Sequence, residues 1–91
     1  MAQTKEKIPM SKLYIIYGHL IWKNERGQRH RDPKLGPSCI ASSGYTSYMT
    51  NDKVHNPYGP ARIWENGRKD YYLIGNMLSF IQWKKQRKQY L

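Results

Sequence analysis

Gly36-Pro37 recurs as Gly59-Pro60, a shift of 23 residues, and the register holds well beyond that dipeptide. The same shift carries Ile40 onto Ile63, Gly44 onto Gly67, Tyr48 onto Tyr71 and Met49 onto Tyr72. A period this short cannot close a core by itself. Each copy is one supersecondary unit that buries its apolar face by stacking on a neighbour. A histidine precedes each Gly-Pro: His30 across Arg31-Asp32-Pro33-Lys34-Leu35, and His55 across Asn56-Pro57-Tyr58. The first spacer is two residues longer, and the extra length sits in a Pro-bearing loop, where closure entropy grows slowly.

The unit reads as loop, strand, turn, strand, turn. Proline fixes φ and lacks an N–H, so each His-to-Gly-Pro stretch predicts a loop leading into a strand. In the second copy Ala61-Arg62-Ile63-Trp64 runs to Glu65-Asn66-Gly67, where Asn-Gly predicts a hairpin turn with φ > 0 at both residues. Arg68 to Ile74 returns, rich in Tyr and β-branched residues. In the first copy the turn falls at Ser42-Ser43-Gly44, the return strand at Tyr45 to Met49, and the next turn at Asn51-Asp52-Lys53. A partial earlier copy precedes them: strands at Leu13-Tyr14-Ile15-Ile16-Tyr17 and Leu20-Ile21-Trp22 around Gly18-His19, then a turn at Asn24-Glu25-Arg26-Gly27. The whole predicts an antiparallel meander of repeated hairpins, mainly β.

The C-terminal segment follows a different rule. Ser79-x-x-Gln82 fits a capping box, and Phe80, Trp83, Arg87 and Tyr90 share one face at helical spacing. One short α-helix is therefore predicted from about Phe80 to Gln89, with Phe80 and Trp83 against the sheet and lysines near its C-terminus. The expected organisation is a flexible basic N-terminal tail at 1–10 and a single domain at 11–91. Its repeat units span about 30–52 and 55–78, and a basic helix closes it at 79–90.

Size and charge narrow the function classes. Ninety-one residues suit one domain, and 38% apolar residues leave a thin core in which the eight Tyr, three Trp and one Phe are expected to carry much of the burial. Sixteen Lys and Arg against six Asp and Glu give +10, an excess that favours an acidic partner such as nucleic acid, a nucleoprotein or an acidic protein. Cys39 is the only cysteine, so no disulfide forms within the chain, and it reads as a small buried residue. No apolar run is long enough to span a membrane, and residues 1–10 lack the apolar stretch of a signal peptide. A soluble, cytoplasmic protein is the expectation.

Catalytic and metal chemistry find little material. His19, His30, His55 and Cys39 show no paired ligand motif, so neither metal nor cofactor is expected. The equivalent repeat positions of His30 and His55 point to a structural role, hydrogen bonding to the Gly-Pro loop. The acidic residues are scattered, and no phosphate-cradling glycine loop occurs. The candidate binding residues are Arg26, Arg29, Arg31 and Lys34 around the first loop, Arg62, Arg68 and Lys69 on the second copy, and Lys84, Lys85, Arg87 and Lys88 on the helix. Tyr45, Tyr48, Tyr58, Tyr71 and Trp64 are either stacking surfaces for bases or core and strand-pair rings.

The pattern His-Arg-x-x-x-x-Gly-Pro, then Gly-Pro-Ala-x-Ile-Trp-x-Asn-Gly-x-x-x-Tyr-Tyr, resembles the short Gly-Pro-Ala hairpin repeats, MORN-like in character, of many small bacteriophage proteins. Gly59 to Tyr72 and Leu78 to Trp83 match well. The first copy departs, since Ser38 replaces Ala and Pro33-Lys34-Leu35 replaces the acidic residue. The resemblance covers roughly residues 20–85 and carries fold more than biochemistry. It implies a phage-encoded protein, active in the host cytoplasm, that binds a host enzyme, nucleoprotein or defence complex.

Three function classes stay open. The first is a non-enzymatic module that binds nucleic acid or a nucleoprotein through basic surfaces. The second is a direct inhibitor of a host protein, anti-defence and anti-CRISPR-like, acting by protein contact. The third is a small metal-independent ribonuclease with His30 or His55 as general base. Exposed edge strands leave both a monomer and an edge-strand homodimer available.

Overall fold

Tyr17 and Gly18 both have positive φ, 49° and 82°, as a two-residue type I′ hairpin turn requires to match the twist of its strands. They join β1 (Lys12–Ile16) to β2 (His19–Lys23) in the computed structural model, which describes residues 11–91. The turn expected at Gly18-His19 thus lies one residue earlier, because His19 already pairs with Ile16. Asn51-Asp52 (49° and 67°) and Ile74-Gly75 (44° and 80°) repeat the same geometry. The former joins β5 (Met49–Thr50) to β6 (Lys53–Val54), so Lys53 belongs to a strand and not to the turn. The latter joins β8 (Lys69–Leu73) to β9 (Asn76–Leu78).

The other hairpin connection differs from its expected form. Between β7 (Arg62–Ile63) and β8 the Trp64 N–H donates to Arg68 O and the Gly67 N–H to Trp64 O, both at 2.8 Å. This is a three-residue connection closed by Gly67 at φ 92°, a type I turn with a glycine bulge. Asn66 keeps negative φ, and its Oδ1 instead accepts the Arg68 N–H at 2.9 Å. The first copy does the same between β3 (Cys39–Ile40) and β4 (Thr46–Ser47): Ala41 N–H to Tyr45 O at 2.8 Å, Gly44 N–H to Ala41 O at 2.9 Å.

The backbones of the two copies superimpose in pairing as well as in sequence. Cys39↔Ser47 becomes Arg62↔Asp70, and Met49↔Val54 becomes Tyr72↔Met77. The earlier partial copy joins in the same way, since β2 meets β3 through Leu20↔Ile40 as β4 meets β7 through Thr46↔Ile63. The result is mainly antiparallel β: a seven-stranded sheet in the order β1-β2-β3-β4-β7-β8-β9, and a two-stranded sheet β5-β6. The return strand expected over Tyr45 to Met49 is therefore divided. At Tyr48 the N–H goes to Ala61 O and the carbonyl accepts from His55, which commits the chain to leave the main sheet there.

α1 (Phe80–Gln86) starts from the expected capping box: Gln82 N–H to Ser79 Oγ, and Ser79 N–H to Gln82 Oε1, each at 3.2 Å. It ends sooner than Gln89, because Arg87–Tyr90 tighten into a 3-10 turn. The helix docks through Trp83, whose indole N–H donates to Asn56 O at 2.9 Å and whose ring lies 4.9 Å from that of Tyr71. The core is thin: Ile21, Cys39, Val54, Ala61, Leu73 and Trp83 are its buried apolar residues. The expected ring-rich interior is corrected, for Trp83 is the only buried ring of Phe, Tyr or Trp among the described residues. The tail expected at 1–10 lies outside the described residues. No helix among the described residues is long and apolar enough to cross a membrane.

Candidate polyanion-binding surface

Residues directly opposite in an antiparallel pair share a face. One cross-strand row on the main sheet is therefore Tyr14–Ile21–Cys39–Ser47–Arg62–Asp70. Alternation puts Tyr45 and Trp64 on that face too, and their rings meet at 4.7 Å. Asp70, buried, is the anchor of this cluster. Its Oδ2 accepts the Trp64 indole N–H at 2.8 Å and Arg68 Nη2 at 3.1 Å. The Arg68 bond, then the Trp64 bond, holds the Asp70 carboxyl below its ordinary range, and Asp70 in turn raises Arg68. Arg62 lies 5.1 Å from the Tyr72 ring centre and donates to its hydroxyl at 3.3 Å.

Several predicted contact residues are thus engaged inside the molecule. The Arg31 guanidinium sits 4.0 Å from the Trp22 ring centre, and its Nη1 donates to Pro37 O at 3.2 Å. Arg87 Nε donates to Pro57 O at 2.7 Å, with the guanidinium 5.3 Å from Trp83. A guanidinium is planar and weakly hydrated, so it lies readily on a ring. Arg68 is tied to Asp70, the only ion pair among the described residues. Lys34 stays exposed, its ammonium 6.0 Å from the Tyr58 ring centre, much as Lys84 lies 5.9 Å from Phe80 and Lys23 5.4 Å from Tyr14. The four cations expected around the first loop therefore serve different neighbours.

Two exposed clusters remain. Lys84, Lys85 and Lys88 are exposed on the C-terminal helix, which has no acidic residue in its first turn. The second is a shelf on the β1–β2 end. Arg26 and Lys53 line a shallow cavity of about 500 Å³ with Asn24, Glu25, Gln28 and Asn51. Lys12 and Lys23, directly opposite in the hairpin, line another of about 460 Å³ with Tyr14, and Asn24 and Glu25 border both. Buried Asn24 locks the shelf, its amide donating to Gln28 Oε1 at 2.9 Å and Asn51 Oδ1 at 3.0 Å. Arg29 is exposed beside it, its backbone N–H held by Asp52 Oδ1 at 2.7 Å. Lys69 is exposed on the opposite sheet face.

Lys12, Lys23 and Lys53 escaped the sequence reading. A correct placement of the Tyr17-Gly18 turn would have put Lys12 opposite Lys23. Nothing local signals that Lys53 joins Arg26, since the turns that carry them meet through contacts distant in sequence, Asn24 with Asn51 and Arg29 with Asp52.

The histidines bind turns, not the Gly-Pro loops expected for them. Asn51 N–H donates to His30 Nδ1 at 3.1 Å, and Ile74 N–H to His55 Nδ1 at 2.9 Å. Both are buried. No group of three or more potential metal ligands occurs among the described residues.

Repeated hairpins, a docked helix and, among the described residues, cations with a single ion pair define a small β-hairpin-repeat protein with a polybasic surface. Comparison with protein-family models, with curated proteins and with solved structures found no match.

Proposed function

We propose that this chain is a non-enzymatic module that binds the phosphate backbone of nucleic acid, alone or within a nucleoprotein. One observation carries the reading. Of the basic side chains among the described residues only Arg68 is neutralised by an ion pair, while the lysines of the helix and the shelf stand exposed or line open cavities. Uncompensated cations at that density neutralise phosphates and release the counterions condensed on the nucleic acid.

The candidate stacking rings at Trp64, Tyr45 and Tyr71, together with Tyr72, argue for the backbone over the bases, while Tyr58 is 42% exposed. Trp64 is paired with Tyr45 and covered by Arg68, Tyr72 lies beside Arg62, and Tyr71 is enclosed by Phe80 and Trp83. Rings already in contact offer no open platform for base stacking. Binding is therefore insensitive to sequence and steeply sensitive to salt. With about six cations in contact, affinity for labelled DNA or RNA falls roughly a thousandfold between about 50 and 200 mM salt. A flat salt response removes the proposal.

A second reading rests on a separate feature: Phe80 and Ile81 are 50% and 68% exposed beside Lys84 and Lys85. An apolar patch rimmed by cations suits an acidic protein surface. The resemblance to small phage repeats makes a host nucleoprotein or defence complex the first partner to test. Capture from host lysate with and without nuclease separates the two, because a protein partner survives nuclease and a bridging nucleic acid does not.

A further inference from the structure

The two loops ahead of the Gly-Pro dipeptides carry the same local device. Asp32-Pro33-Lys34 and Asn56-Pro57-Tyr58 are each an Asx turn, in which the first side chain accepts the backbone N–H two residues on. Asp32 Oδ1 accepts the Lys34 N–H at 3.0 Å, and Asn56 Oδ1 the Tyr58 N–H at 2.9 Å. The proline between them fixes φ. Neither bond uses the side chain that follows the proline, and both of those side chains are exposed, Tyr58 at 42%. The Lys34 ammonium lies 6.0 Å from the Tyr58 ring centre. Two copies of one turn thus set a cation beside a ring.

The loop under Tyr58 is held firmly. Asn56 and Pro57 are buried. The Asn56 N–H donates to Tyr72 O at 3.2 Å, and its Nδ2 to Pro60 O at 2.9 Å. The Trp83 indole donates to Asn56 O at 2.9 Å, and Arg87 Nε to Pro57 O at 2.7 Å. The Tyr58 ring takes no part in this network, and among the described residues it pairs with no other aromatic ring. Tyr45, Trp64 and Tyr71 are each paired in that way. Backbone bonds have already ordered the support of the ring, so a ligand that covers it finds it preorganised.

A nucleotide fits this setting on both counts. It offers a flat ring and an anion side by side, one for the face of Tyr58 and one for the Lys34 ammonium. A carboxylate on a protein surface answers Lys34 and leaves the ring uncovered. The position agrees as well. Arg87, which holds Pro57 O, follows directly on the helix that carries Lys84 and Lys85, so a phosphate chain lying along the helix lysines meets Tyr58 next. We infer that Tyr58 stacks one base of a single-stranded nucleic acid, with Lys34 and the helix lysines on the phosphates to either side. A duplex keeps its bases stacked on one another, so only a strand with free bases uses the ring. Stacking accepts any base, because each has a π-face, and binding stays insensitive to sequence. The inference rests on the phosphate-binding reading and adds to it the kind of strand that is bound.

Three labelled probes of equal length test it at about 50 mM salt: an oligothymidine strand, the same strand with abasic sites in place of its bases, and a duplex. The parent chain is expected to bind the oligothymidine strand more tightly than the abasic one. Tyr58→Ala weakens the oligothymidine complex about 5- to 150-fold. It leaves the abasic and duplex complexes unchanged, which also shows that the variant is folded. Tyr58→Phe keeps the ring and the affinity. Equal affinity of the parent chain for the oligothymidine and abasic strands overturns the inference and leaves the phosphate reading standing. A preference for bases that survives in Tyr58→Ala, or a loss shared by all three probes, overturns it too. Failure of the parent chain to bind any probe sinks the phosphate reading along with it.

Discussion

His55 Nδ1 accepts the backbone N–H of Ile74 at 2.9 Å, which ties the last two-residue turn to the loop ahead of the second Gly-Pro. An acceptor at Nδ1 is an unprotonated nitrogen, so this imidazole is neutral with its proton on Nε2. Tyr90 closes the site, its ring 5.0 Å from that of His55. The twin bond from Asn51 to His30 repeats the arrangement one unit earlier. A polar side chain is thus spent in each unit on a backbone donor that a tight turn leaves unpaired.

This bond makes stability depend on pH in a defined window. Burial lowers the His55 pKa below the ordinary 6.5, so the unfolded chain takes up the proton more readily. The contribution of the neutral ring is complete above about pH 6.5 and declines as pH falls toward the folded-state value. Urea midpoints at about pH 7.5 and 5.5 should show that decline, with part of it missing in His55→Gln. Equal midpoints at the two pH values would show that the bond carries no linkage.

Ile74 has φ 44°, a left-handed conformation that a β-branched residue adopts only under strain. The equivalent residue of the preceding copy is Asn51, at φ 49°. Ile74→Asn is expected to raise stability by about 1 kcal/mol, read as a higher urea midpoint with unchanged slope. Ile74 is part-exposed at 39%, so little burial is lost in the exchange.

Trp64→Phe keeps the ring against Tyr45 and removes one donor to buried Asp70. A buried carboxylate short of a partner costs about 1.5–3 kcal/mol, visible in chemical denaturation at neutral pH. Asp70 is held below the ordinary 3.8 by Arg68 and Trp64, so its contribution is complete above that value and lost as pH falls from it through the lower folded-state value. The variant should therefore lose less stability on acidification than the parent chain.

Structural and contact cations should part under substitution. Arg31→Ala uncovers Trp22 and frees Pro37 O, a loss of about 1–2 kcal/mol of stability. The triple change Lys84→Gln, Lys85→Gln and Lys88→Gln touches exposed side chains and leaves stability nearly level. It should reduce the magnitude of the salt slope for nucleic acid by about 3. An unchanged slope would remove the helix from the proposed surface.

Much of the architecture is readable from local residues. The offset between the Gly-Pro dipeptides survives in the strand registers, and Ser79 with Gln82 marks the helix start. The failures are of one kind. Asn66-Gly67 permits two turn geometries, and the bonds of Trp64 to Arg68 and Gly67 select the longer one. Tyr45 to Met49 reads as one strand, yet Ala61 and His55 capture Tyr48 from either side. In each case the deciding partner lies outside the segment.

The cations show the same division. Their number and their excess over acids are properties of composition, and they already favour an acidic partner. Which of them stay available is set by neighbours distant along the chain: Trp22 for Arg31, Pro57 for Arg87. Repeat period, turn residues and capping box were determined by the sequence itself, because each acts through backbone dihedrals within a few residues. Stacked guanidiniums, the shared shelf of Arg26 and Lys53, and the meeting of Lys34 with Tyr58 were decided only by the tertiary structure. Those contacts depend on short-range forces that act only once folding has brought the groups within a few ångströms.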